Sequence, residues 1–171
     1  MVNRLPLSEE ARHFLCEAGL PSRIFDWRLD YLPRTLPPLP DAVDGYPFSD
    51  DCARYRVLGV QLVDAYWGEE VCFSFLCLDL QSGGRVVNIW TGHEDKAQFL
   101  NSSIPQFAEY VLLFRNSMEW CLIHHPYPLS EPDDDDLRQH AEHVVRQMQE
   151  VDPQVGEHDW QDRLRGMYGN Y

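Results

Sequence analysis

Histidine and cysteine are the side chains best suited to chemistry near neutral pH, and this 171-residue chain groups several of them. His140 and His143 stand at i and i+3, a spacing that can hold a metal. A zinc site takes three or four ligands, however, and no other ligand pair here has a matching spacing. The zincin pattern, with two histidines at i and i+4 and a glutamate beside the first, is absent. The pair therefore reads as two solvated histidines on a polar helix face. Cys121 with His124-His125 offers a nucleophile and a base, but nothing at readable spacing supplies an oxyanion hole or an orienting acid. Cys72 and Cys77 occupy even and odd positions of one strand-like run, so a regular strand points them to opposite faces as separate core thiols. Gln81-Ser82-Gly83-Gly84 joins strand to strand, whereas phosphate-cradling loops open helices. No catalytic, cofactor or metal residue is assigned.

The acids are more informative. There are 28 acidic against 14 basic residues, a net charge of −14. The 41 residues from Glu131 to Tyr171 carry −7, as do the first 130, so the final quarter is about three times as densely charged. Only Lys96 and 13 arginines oppose this field, which disfavours direct nucleic-acid binding. An acidic surface instead steers and orients a basic protein partner. Two patches are candidates: Asp133, Asp134, Asp135 and Asp136 with the nearby helix, and the paired loop acids Asp50, Asp51, Glu69 and Glu70. A role in solubility alone is the competing reading.

Composition supplies the frame. Hydrophobic residues make up 44% of the chain, enough for a sizeable core and against wholesale disorder. Apolar stretches such as Val111 to Phe114 are too short to span a bilayer. Arg4 is soon followed by Glu9 and Glu10, which does not fit a secretory signal, so the chain reads as cytoplasmic. The odd number of cysteines, five, suits reduced thiols.

The elements follow from local chemistry. Ser8 caps a first helix, Glu9 and Glu10 suit its positive end, and Gly19 closes it behind an apolar face of Ala11, Phe14, Leu15 and Ala18. Six prolines between 21 and 49, interleaved with aromatics, predict an irregular but ordered wrap. Tyr55 to Val60 reads as a strand. Val71 to Leu80 and Arg85 to Trp90 flank the Gly-Gly turn as an antiparallel hairpin, the first run apolar enough to lie centrally. Ser103 and Pro105 open a long core helix with Ile104, Phe107, Val111, Phe114 and Met118 on one face. The acidic run leads a last long helix whose apolar face is Leu137, Ala141, Val144, Val145 and Met148. A short segment from Asp159 to Tyr171 docks or frays.

Four strings carry a resemblance: FLCEAGLP (Phe14 to Pro21), YRVLG (Tyr55 to Gly59), VVNIW after the hairpin turn (Val86 to Trp90) and FLNSSIPQF (Phe99 to Phe107). With the order of elements, they resemble the SUKH superfamily of bacterial immunity proteins, closest to its fourth family. The resemblance implies an α+β domain with a largely antiparallel central sheet and packed helices. The whole chain, 1–171, then reads as a single domain with an acidic helical extension from about 132. Members are encoded beside polymorphic toxins, often nucleases or nucleic-acid deaminases, and neutralise them by binding; no catalytic residue comes with the family. The expected partner is a basic toxin domain. A regulatory or scaffolding domain and an uncharacterised enzyme are the rival readings.

A metal-free protein is expected. Elemental analysis after purification without added metal checks this, and stoichiometric zinc held by His140 and His143 would overturn it.

Overall fold

The apolar run after Val71 has few ways to satisfy both its side chains and its backbone, and it does so as the centre of a sheet. The computed structural model describes residues 5–24, 27–29, 36–42, 46–64, 70–93, 96–124 and 135–155. Its strands are β1 (Arg23–Ile24), β2 (Trp27–Arg28), β3 (Tyr55–Asp64), β4 (Glu70–Asp79), β5 (Arg85–Trp90) and β6 (Gln98–Asn101). They lie in sequence order, each antiparallel to the next. Helices α1 (Glu9–Glu17), α2 (Leu39–Ala42), α3 (Ile104–His124) and α4 (Asp135–Val151) complete an α+β fold. The chain divides into two compact units, 1–105 and 106–171.

In the first unit the expected caps and turn are present. The Ser8 hydroxyl accepts from the Ala11 N–H at 3.1 Å, and Gly19, at φ +69°, donates to the Phe14 carbonyl. At the β4–β5 turn, Asp79 accepts from the Gln81 N–H at 3.0 Å and from the Ser82 hydroxyl at 2.9 Å. Gly84 follows at φ +93°, a conformation that favours glycine, and a Cβ there would press on the Leu7 side chain at 3.0 Å. The Pro-rich wrap is ordered where it is described. Leu39 of α2 is fully buried in a core with Val57, Val60, Phe75 and Ile89. Phe48 meets Phe75 edge to face at 5.5 Å. Strands β1, β2 and β6 are too short to leave a periodic signal, and the sequence does not announce them.

Two bulges decide which side chains reach that core. Val57 pairs with Cys77 and Gly59 with Leu76, so Leu58 is an extra residue in β3. Its insertion changes the core-facing positions from Tyr55 and Val57 to Val60 and Leu62. Gly59 is crowded, because a Cβ would lie 3.0 Å from the Leu29 side chain and 3.1 Å from the Arg28 carbonyl. In β4, Gln61 pairs with Ser74 and Leu62 with Cys72, which makes Phe73 the extra residue. This corrects the expectation for Cys72 and Cys77. The bulge between them cancels the odd-even difference, and both side chains join the same core, beside Cys52. All five cysteines are thiols. Burial raises the Cys72 thiol to about 11 and holds Cys77 well above the ordinary thiol value.

The second unit is a helical hairpin. The fully or nearly buried residues of α3 are Ile104, Phe107, Tyr110, Phe114, Ser117 and Cys121. The predicted face is therefore rotated: Val111 is only half-buried and Met118 is 39% exposed. Tyr110 and Ser117 were concealed by their polar atoms, which are satisfied inside. The Tyr110 hydroxyl donates to the Met148 carbonyl and lies 3.3 Å from that of Asp152, while the Gln106 amide donates to the Val151 carbonyl at 3.0 Å. Those carbonyls lie at the end of α4, where Met148 also accepts from the Asp152 N–H at 3.0 Å and Asp152 from the Val155 N–H at 3.2 Å, so the side chains add to the backbone bonds. On α4, Leu137, Val144 and Met148 are buried as expected, with Ala141 and Val145 at the margin. The segment from Asp159 lies outside the described residues.

Phe107→Ala should cost about 3–5 kcal/mol of unfolding free energy in urea titration, as for a fully buried ring. Met118→Ala should stay within about 0.5 kcal/mol, as for a surface site. Equal losses would mean that the buried face of α3 is wrongly assigned.

Candidate partner-binding surface

The predicted acids that lie among the described residues fall on three different elements. Asp50 and Asp51 are exposed on a tight 3-10 turn, Asp50–Arg54, formed over the buried Cys52. At its end Arg54 reaches Gln81 at 3.1 Å, bonds the Tyr55 hydroxyl and lies 3.9 Å from Asp79. The Tyr55 hydrogen bond, with help from Asp79 and Asp51, raises the Arg54 guanidinium above its ordinary value. Glu70 opens β4 opposite Asp64, whereas Tyr55, next to the Asp50 turn, pairs with Asp79. Nine residue steps separate the two ends, about 30 Å at strand rise. The loop acids therefore do not form the single patch that their sequence pairing suggests. Glu69 lies outside the described residues, as do Asp133 and Asp134. Asp135 and Asp136 are exposed in the first turn of α4, where their charge suits the helix dipole. Asp135 is bound to Arg138 at 2.7 Å, so part of that charge is offset locally.

The histidines are arranged differently from expectation. His140 is not solvated on a polar face. Its ring stacks on Trp120 at 3.9 Å and 12°, and its Nε2 lies 3.2 Å from the Ser117 hydroxyl. His124 stacks on Trp120 at 4.5 Å and 18°. Its Nδ1 is 2.9 Å from the Trp120 carbonyl, and Cys121, the nucleophile such a base would have to reach, is buried. His143 is exposed. Among the described residues, no group of three or more metal-ligating side chains converges. The signal for this cluster was in the sequence: Ser117, Trp120 and His124 recur at i, i+3 and i+7 of α3.

Burial lowers the His140 imidazole below its ordinary value of 6.5, and His143 and His124 lower it further. The unfolded chain therefore takes up this proton first as pH falls. The stability associated with neutral His140 is complete above the unfolded value and is lost as pH falls through the folded one. The thermal midpoint should drop between about pH 7.5 and 5.5, a window around the ordinary imidazole value. His140→Gln should flatten that drop. An unchanged slope in the variant would place the titration elsewhere.

Comparison with known proteins bears on both units. The chain matches the profile of the family described as SUKH-4 immunity protein over residues 1–165. No curated protein and no solved structure matches it. Among the described residues, no helix is long and apolar enough to cross a membrane. The matched span includes all four strings that carried the resemblance, the whole six-stranded sheet and both long helices. The chain belongs to the SUKH-4 immunity protein family.

Proposed function

We propose that this chain neutralises a toxin by binding it in the cytoplasm, with no catalytic step of its own. The observation that carries this is the family match over residues 1–165. The net charge of −14 supports a basic partner, and a toxin that acts on nucleic acid needs a basic groove. A nuclease or nucleic-acid deaminase domain of a polymorphic toxin is the partner this reading favours. Exposed carboxylates attract such a domain before contact and hold it in orientation afterwards. The thiols most protected by the core, Cys52 and Cys77, take no part in it.

Association kinetics against the toxin domain encoded beside this chain test the reading. On-rates should fall with salt, as the screening length shortens from about 10 Å at 0.1 M to about 3 Å at 1 M. Replacing Asp133, Asp134, Asp135 and Asp136 together by asparagine should slow association and flatten its salt dependence, with dissociation nearly unchanged. The same change at Asp50 and Asp51 measures the other exposed patch. A wild-type chain that fails to bind or inhibit the toxin would remove the immunity reading. On-rates indifferent to salt and to both substitutions would reduce the charge to a solubility device.

A further inference from the structure

Four of the five large apolar side chains exposed among the described residues lie on α3: Leu112 at 49%, Met118 at 39%, Leu122 at 61% and Ile123 at 73%. Such a concentration on one element marks a contact surface more often than scattered single residues do. Beside Leu112 the helical hairpin opens into a groove of about 500 Å³. One wall is the α3 face that carries Glu109, Leu112 and Leu113; the other is the last turns of α4, with Glu150 and Val151. Its titratable lining is two carboxylates, Glu109 and Glu150, with no cation among the described lining residues. Ile123 lies three helical turns beyond Leu112 on nearly the same side of α3, about 16 Å along the axis.

We propose that this groove is the docking site for the toxin, and that it takes an apolar side chain carried on a basic segment. The proposal rests on the immunity reading and gives it a location. Leu112, Leu113 and Val151 provide the apolar contact, and Glu109 and Glu150 face cations on either side of it. Its walls are held before binding. Gln106 is bonded to the Val151 carbonyl and Tyr110 to that of Met148, on the same helical turns that line the groove. A preorganised wall loses little freedom when a partner arrives. A second copy of this chain is a poor occupant, because it would bring its own Glu109 and Glu150 against these. Asp135 and Asp136 are a separate patch, about 20 Å away along α4 at helical rise.

The test is affinity and dissociation rate for the purified toxin domain encoded beside this chain. Leu112→Arg and the double substitution Glu109→Arg with Glu150→Arg are all at lining positions, and thermal melts check that each variant is folded. Both should weaken binding by about thirtyfold or more, as truncation of a central contact does, with Leu112→Arg acting mainly on dissociation. Glu142→Arg, an exposed acid of α4 outside the groove, should change affinity by less than about threefold, as a rim charge does. Full-strength binding by both groove variants overturns the docking site and leaves the immunity reading standing. A wild-type chain that does not bind the toxin removes both. A wild-type dimer in sedimentation that Leu112→Arg splits into monomers assigns the face to a second copy and overturns the proposal.

Discussion

The register between Tyr55–Asp64 and Glu70–Asp79 is the constraint on which the first unit depends. Side chains on both faces of this ladder are buried, so a slip by one residue would exchange two sets of apolar side chains at once. The two bulges are how the chain meets that constraint with the sequence it has. Leu58 and Phe73 each step out of the alternation, and the strand segments before and after them then face the same core. The same register puts Asp79 at the β4–β5 turn, where its carboxylate closes the turn and its neighbour Arg54 reaches it. It also separates Asp50 and Asp51 from Glu70 by the length of the hairpin, which no reading of paired acids along the chain could anticipate.

The second unit depends on a different contact, the side-chain donors that reach the carbonyls at the end of α4. Tyr110 and Gln106 supply donors from α3, so one helix completes the other. An apolar residue at position 110 would bury as much area and remove the side-chain donor to the Met148 carbonyl. At the other end of the hairpin, Trp120 lies between two imidazoles. There burial and the neighbouring histidines both oppose a proton on His140. The two ends thus differ in kind: hydrogen bonds to backbone at one, and a stack sensitive to acidity at the other.

What could be read from the chain beforehand follows the strength of its local signals. The Ser8 cap, Gly19, the hairpin around Gly83-Gly84 and the amphipathic α4 all have short-range causes, and all are present. The rotation of the α3 face was not legible, because periodicity ranks tyrosine and serine as poor core residues until their partners are known. The bulges were not legible either; alternation assumes a regular strand, which sends Cys72 and Cys77 to opposite faces. Strands of two residues, such as β1 and β2, owe their existence to the edge of β3 rather than to their own sequence. For the site, charge signalled a basic partner but not a place, since the loop acids Asp50 and Asp51 lie at the opposite end of a hairpin from Glu70. Glu109 and Glu150 are single acids on separate helices and become a pair only when the hairpin closes.

The strand order has a kinetic consequence. Each strand pairs with its sequence neighbour, so most of the sheet can form by closing short loops, and topologies of that kind fold fast. One junction differs. The chain from Leu29 to Arg54, with five of its prolines, separates β2 from the strand it pairs with. Its closure entropy is larger than that of the β3–β4 or β4–β5 turns, and it closes onto an edge that those hairpins must first create. In a chain synthesised from its N-terminus, β1 and β2 are thus the first strands to be made and among the last to find their place.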